Sequence, residues 1–463
     1  MIGMRSLAFL VLAVAASAQP PDMTITWLGQ SCFVLKTAAG LTIVTDPPVA
    51  SVGYTLPPLS AHAVTISHNH TDHNNSAAVA PGFTLIDGRP VTAPQDMSAG
   101  GTTFTLIPGF HDNQNGALRG PNTIIIWEQA GMKIAHLGDF GQDSFTDEQK
   151  AALANVDIMF IPAGGFFTVT PEQAAAFLRQ LRPRVAILMH YKTALGGPAQ
   201  LAGLPAASDP FMPVQYKPAT VTVNAATLPA VGRESAGQVW VMQPASDTVA
   251  VSTASYAPGG PVAPQSVASA FGTFTGSGEA AGTFPLPRGL AGTVVQVDGK
   301  PVPLFYVSPQ QVNFQVPKAT PTGQSLLEVL TSGKVVGRGP LTVVRTAPGI
   351  FAVLNQDYSA NTKDTPAHPD DVLQIFATGL GEVAPGVDDG APASRDNLSM
   401  TTTPPGVTLG TRTLRIEFSG LTPGLAGVYQ VNAVIPSDQQ AGDAIPLQLG
   451  NGLFSNIVPV NVQ

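Results

Sequence analysis

At 463 residues the chain is about three times the commonest domain size, so more than one hydrophobic core is expected. Only 11% of residues are charged, against roughly 25% in an average soluble protein, while 47 glycines and 43 prolines punctuate a sequence that is 44% hydrophobic; that mixture excludes coiled coils, long solvated helices and a disordered chain. A net charge of −8 offers no basic field for gathering phosphate backbones, which sets nucleic acid aside as a partner.

The first eighteen residues read as an address. Arg5 and the amino group form a positive end, Leu7 to Ala16 is an unbroken apolar run, and Ala16-Ser17-Ala18 is a small-residue cleavage site. The run is too short to span a bilayer, and no later stretch approaches the roughly 18 to 20 apolar residues required. Residues 1–18 are therefore expected to be a signal peptide, leaving a secreted or periplasmic protein with no transmembrane segment after cleavage. The sole cysteine, Cys32, allows no intrachain disulfide and is expected to pack as a small core residue.

Residues 19–244 alternate short β-like runs with occasional helical patterns. Met23 to Leu28, Phe33 to Lys36, Leu41 to Thr45, Ala63 to Ser67, Thr103 to Pro108, Thr123 to Trp127, Met132 to Leu137, Asp157 to Pro162 and Val185 to Met189 predict strands. Thr170-Pro171-Glu172-Gln173 supplies an N-cap, a first-turn proline and a capping-box glutamine for a helix running to Leu181. A second helix is predicted around Thr146 to Ala154. Residues 245–262, rich in Pro, Gly and Ser, read as a linker. Beyond it helical patterning nearly vanishes, and Tyr306, Gln311-Val312-Asn313-Phe314-Gln315-Val316-Pro317 recurs as Tyr429-Gln430-Val431-Asn432-Ala433-Val434-Ile435-Pro436. The recurrence predicts two all-β units, residues 263–350 and 351–463, each an Ig-like β-sandwich.

Seven of the eight histidines precede residue 191, and three crowd into His68-Asn69-His70-Thr71-Asp72-His73. At a strand end, positions i and i+2 point the same way, so His68 and His70 can offer two imidazoles to one ion, and the following turn lets Asp72 and His73 face a second. The remaining ligands should be single residues where other apolar runs stop. His111, Asp139 and His190 meet that requirement. His136, His62 and His368 do not, the first by strand parity, the second by reach, the third by its place beside Pro369 in the β region. Asp46 fits either a brace under the His68 to His73 loop or a cap for the turn at Pro47-Pro48.

This pattern resembles the metallo-β-lactamase fold hydrolases, within them the lactonase-like and phospholipase D-like branch. The resemblance is carried by Thr26-Trp27-Leu28-Gly29, Ile43-Val44-Thr45-Asp46-Pro47, the His68 to His73 segment, Gly138-Asp139, Ile161-Pro162-Ala163-Gly164-Gly165 and Met189-His190-Tyr191. It implies an α/β domain of αββα type, two stacked sheets with two divalent metal ions at one edge. His68, His70 and His111 would hold the first ion, Asp72, His73 and His190 the second, and Asp139 would bridge. Gln30 departs from the pattern, standing where many relatives carry histidine. Cys32 lies upstream of the histidine segment, away from the position of a metal-binding cysteine in one class of true β-lactamases, so antibiotic hydrolysis is not favoured.

Two such ions acidify a shared water and hold the hydroxide against a carbonyl or phosphorus, which points to hydrolysis of a small-molecule ester, lactone or phosphodiester, with Asp72 or Asp139 carrying the proton. The imidazole-rich donor set suits zinc, and the carboxylates also suit manganese or iron. Tyr191 is considered both as a hydrogen-bond donor to a developing oxyanion and as a buried structural residue. The competing function is a metal-containing adhesive or binding protein without turnover. RNA cleavage conflicts with the export signal and with the acidic balance of residues 19–262. The C-terminal region resembles a repeat-bearing module of secreted bacterial proteins through Phe305-Tyr306-Val307-Ser308-Pro309 and Ala347-Pro348-Gly349-Ile350-Phe351, and cell-surface or glycan contact is the role its composition suits. Substrate choice is expected to rest on the loops Val49 to Ser60, Asp112 to Gly120 and Ala194 to Pro213.

Overall fold

A computed structural model describes residues 21–204, 206, 208–230 and 237–463; the expected signal peptide lies outside them. In chain order, β1 (Met23–Gly29), β2 (Cys32–Thr37), β3 (Thr42–Thr45), β4 (Ala63–Ile66) and β5 (Thr84–Asp87) build a first sheet. A second follows from β6 (Gln95–Ala99), β7 (Thr102–Phe110), β8 (Pro121–Gln129), β9 (Met132–His136), β10 (Ile158–Pro162), β11 (Val185–Met189) and β12 (Gln215–Lys217). The chain then returns β13 (Thr220–Val223) to the edge of the first sheet beside β1 and inserts β14 (Gln238–Met242) between β12 and β11 in the second.

The sheets face each other across one core. Met23, Ile25 and Trp27 alternate inward from β1 to meet Phe33, Phe104, Ile134, Phe160 and Ile187, all fully buried. The middle strands β10 and β11 are parallel and buried at every position, because α2 (Pro171–Leu181) covers the face turned from the first sheet with Ala174, Ala175 and Phe177. Their unbroken apolar sequences follow from that two-sided burial. Both predicted helices start where their caps stand: Thr146 caps α1 (Asp147–Ala152) and Thr170 caps α2, each reciprocated by the glutamine three residues on.

Two expectations are corrected. The αββα arrangement calls for helices on both outer faces, but among the described residues the outer face of the first sheet carries none. Leu28, Cys32, Val44 and Val64 are instead roofed by Leu59, Val79 and irregular chain with the short 3-10 turns Ala50–Val52 and Ser76–Ala78. Prolines at 47, 48, 57 and 58 deny that segment the hydrogen bonds of a helix. Second, residues 245–262 are not a plain linker. Val249–Ser252 is a strand paired with Val267–Phe271, its alternation having been masked by the surrounding Pro and Gly.

The rest of the chain is all β. One unit sets a five-stranded sheet against a four-stranded one around Ala268, Val295, Phe314 and Leu327; the next sets a six-stranded sheet against a five-stranded one around Ile375, Val407, Val431 and Leu447. Gln311–Gln315 and Tyr429–Val434 are each the third strand of their sheet, with antiparallel neighbours on both sides. In both, the glutamine amide donates to the asparagine two residues on, at 2.8 Å for Gln311–Asn313 and 2.9 Å for Gln430–Asn432. The tyrosines differ. Tyr306 sits on the neighbouring strand, whereas Tyr429 is buried and donates its hydroxyl to Gly381 O at 2.5 Å.

Candidate metal centre

Because β3, β4, β7, β9 and β11 run in one direction, the residues following them emerge at one rim. Those residues are Asp46, Ser67-His68, His111, Gly138-Asp139 and His190. Donor atoms of His68, His70 and His111 lie within 4.8 Å of one another, as do those of Asp72, His73, Asp139 and His190, so all seven sequence-predicted ligands converge. Asp139 joins the groups. Its Oδ2 is 3.0 Å from His111 Nε2, 3.0 Å from His190 Nε2 and 3.7 Å from His68 Nε2, and its Oδ1 is 3.2 Å from His73 Nε2.

The outer nitrogens of His68 and His73 are fixed while their inner ones are left without partners. Asp46, fully buried, accepts from Ser67 N (2.9 Å), Ser67 Oγ (2.5 Å) and His73 Nδ1 (2.9 Å). With its proton committed to Asp46, the Ser67 hydroxyl accepts from His68 Nδ1 at 2.9 Å. Both imidazoles thus turn Nε2 toward the centre. His68 Nε2, His73 Nε2, His190 Nε2 and Asp139 Oδ1 are buried with no hydrogen-bond partner. Buried polar atoms are rarely left in that condition, and a convergent set of five imidazoles and two carboxylates fits divalent cations. Asp46 is thus the brace; of its two readings the cap is set aside.

Local backbone explains how Asp139 is aimed. Gly138 has φ +55°, and a Cβ there would overlap Asn122 Oδ1 and Ser67. Asn122 accepts from Asp139 N and donates to Leu137 O, both at 2.9 Å, locking the turn.

A model of the β-lactamase superfamily domain matches residues 24–190. The UPF0173 metal-dependent hydrolase of Cupriavidus necator is 32% identical over 229 residues, covering 40% of this chain and 77% of its own. That of Pyrobaculum neutrophilum is 30% identical over 201 residues, covering 37% and 85%. The chain belongs to the UPF0173 family of metal-dependent hydrolases. A solved metallo-β-lactamase superfamily protein from Thermotoga maritima is 29% identical, covering 48% of this chain and 98% of its own, with a TM-score of 0.37.

In this UPF0173 domain, burial and charge act against each other. Burial alone would raise the carboxyls of Asp72 and Asp139, but the surrounding imidazoles hold both well below the usual range. Burial would likewise lower His190 and His73, yet Asp139 and Asp72 raise His190 to about 9 and His73 well above its ordinary value. His68 and His70 are lowered, chiefly by burial and then by neighbouring imidazoles.

The excluded histidines sit elsewhere. His136 is buried between Phe33 and Phe160, donating from Nε2 to Ser31 O (3.0 Å) and accepting Gly138 N at Nδ1 (3.2 Å), and burial lowers its pKa. His62 is exposed at the start of β4, and His368 is exposed in a turn, 3.4 Å from Asp371. The oxyanion role considered for Tyr191 is corrected. Its ring is wholly buried against Trp27, its hydroxyl donates to Met242 O at 3.3 Å, and it does not line the cavity. Gln30 Nε2 donates to Asp72 Oδ2 at 2.9 Å, so the departing residue touches a candidate ligand directly.

Over the centre lies a cavity of about 450 Å³. Each of the three loops singled out from sequence contributes to it, through Ser51 and Val52, Leu118 and Arg119, and Gly197 and Pro198. Residues 205 and 207 of the third loop lie outside the described residues. Phe167 is a lining residue that sequence reasoning missed, and Ser67, Asn122 and Asp112 are missed supports. Of these, Ser67 and Asp112, each next to a candidate ligand in the chain, carried a local signal.

Proposed function

We propose that this UPF0173 hydrolase is exported and holds two divalent cations, zinc by its donor set, with which it cleaves an ester, lactone or phosphodiester of a small molecule. The four inward-facing buried donor atoms without partners carry the reading. The cations would supply an acidified water and polarise the bond attacked. His68, His70 and His111 would hold one and Asp72, His73 and His190 the other, and Asp139, within 3.7 Å of four imidazoles, would serve both. Asp46 fixes the tautomers of His68 and His73. Both Asp72 and Asp139 line the cavity, and Asp72, 21% exposed against 2%, is the more open of the two and the one positioned to pass a proton to the leaving atom, with Gln30 holding its Oδ2. The two C-terminal units we read as Ig-like sandwiches for cell-surface or glycan contact, a role suited by their low charge.

Metal analysis of the purified chain beside His70→Ala, with an ester, lactone and phosphodiester panel, tests this. About two equivalents per chain, falling in the variant together with hydrolysis, is the expected result. Full metal content with no turnover would leave a binding protein, and unchanged metal in the variant would remove the site. Amino-terminal sequencing of protein recovered outside the cytoplasm checks cleavage after Ala18.

A further inference from the structure

Among the described residues the cavity wall holds one permanently cationic side chain, Arg119, and the fold goes to some length to place it there. Asp112, 3% exposed, follows the candidate ligand His111, and its carboxylate accepts four backbone N–H groups: Gln114 (2.8 Å), Gly116 (2.9 Å), Leu118 (3.0 Å) and Arg119 (2.7 Å). That single side chain folds the loop back over the centre. The guanidinium is then clamped from both ends, Nη2 donating to Phe166 O at 3.0 Å and Cζ lying 5.7 Å from the Phe167 ring centroid.

A guanidinium has five N–H donors, of which the described residues engage one, and among them no carboxylate lies within ion-pairing distance. Apolar surface flanks it: Leu118 and Phe166 are each 61% exposed beside the cavity mouth. A braced cation with spare donors, walled by apolar side chains and sharing a cavity with the metal centre, is built to receive something.

We infer that Arg119 is a specificity-determining residue that takes an anionic group of the substrate, a carboxylate or a phosphodiester, while an apolar substituent lies along Leu118 and Phe167. This rests on the hydrolase reading and narrows it to amphiphilic anions. Neutral lactones become poor substrates. No bond is made or broken at Arg119; its contribution is binding.

The test uses the metal-loaded full chain, R119A and R119K with three nitrophenyl compounds: a neutral hexanoyl ester, its carboxylate-terminated analogue and a bis-phosphodiester. R119A is expected to lose about 10- to 100-fold in kcat/KM on one or both anionic compounds, mainly through KM, and under about threefold on the neutral one, with metal content unchanged. R119K restores part of the loss, as a point charge without the fork. Which anionic compound responds separates carboxylate from phosphodiester. Equal losses on all three, or none, overturn the inference. Calorimetric binding of hexanoate and of dibutyl phosphate to the same proteins decides the matter independently of turnover. At least one should bind about tenfold more weakly to R119A, and equal binding of both to wild type and variant refutes the subsite even if nothing is hydrolysed. Absence of turnover with Arg119-dependent binding would instead refute the hydrolase reading alone.

Discussion

The N-terminal domain and the two β units are built from the same short strands, and both bury polar side chains, yet they treat them in opposite ways. In the β units buried polar groups are mostly satisfied within the fold, as where Ser269 Oγ donates to Asn313 Oδ1 at 2.9 Å and Thr401 Oγ1 to Ser419 Oγ at 2.8 Å. The unsatisfied atoms there, on Gln324, Thr422 and Gln439, stand apart. The N-terminal domain also has scattered ones, on Ser31, Thr65 and Gln243, but at its rim the unsatisfied atoms include those of His68, His73, His190 and Asp139, which converge. Polar burial alone marks a well-made core; polar burial that converges without partners marks a site. Strand direction produces the difference. Parallel strands deliver their carboxyl ends to a single edge, whereas the antiparallel neighbours of the β units send theirs to opposite edges.

The comparison breaks hardest at Asp139. Asp139→Asn should release most of the bound metal and abolish hydrolysis, read by elemental analysis and rate, while the β units melt as before. Asp46→Asn should act less severely, weakening metal affinity about 10- to 100-fold in a chelator competition, because the donors remain but two tautomers are no longer held. If Asp46→Asn leaves affinity untouched, the braced network is irrelevant to binding.

A complementary variant lies in the other region. Phe314→Ala, in the core of the first β unit, should cost that unit about 3–5 kcal/mol in denaturant unfolding without changing metal content. Joint loss of both would show that the regions are coupled.

Proton linkage sharpens the contrast further. The raised imidazoles of His73 and His190 contribute stability to the metal-free domain that is fully present below their ordinary value near 6.5 and is lost as pH rises, for His190 through about 9. Metal must displace the same protons, so its affinity should climb across that interval. The melting temperature of chelator-treated protein is expected to fall between pH 6.5 and 9 while metal affinity rises. The β units, with no such cluster among the described residues, supply the flat baseline. Smallest of all, Tyr191→Phe should leave the rate unchanged and cost about 1 kcal/mol of stability, through the lost bond to Met242 O. A large drop in rate would return Tyr191 to the cavity.

Much of the rim was legible because its chemistry is local. Strand-end position and residue type single out His68, His70, Asp72 and His73 within one segment, and capping boxes mark both helices by the contact of side chains three residues apart. The short strands β5, β6, β12, β13 and β14 were not predicted, since their periodicity is too brief to separate from loop. The edge strand Val249–Ser252 was hidden by proline and glycine, and the irregular roof over the first sheet is a matter of which neighbour happens to cover an apolar face.

Sequence alone therefore picked out the seven side chains that meet at the rim and the change from mixed to all-β patterning along the chain, because residue type, spacing and run length are properties of neighbours in the chain. Tertiary structure alone decided that Asp46 and Ser67 set the tautomers, that Tyr191 faces the core, and that Arg119 and Phe167 wall the cavity. Those facts depend on groups tens of residues apart meeting at a few ångströms, and no local pattern encodes where a folded loop comes to rest.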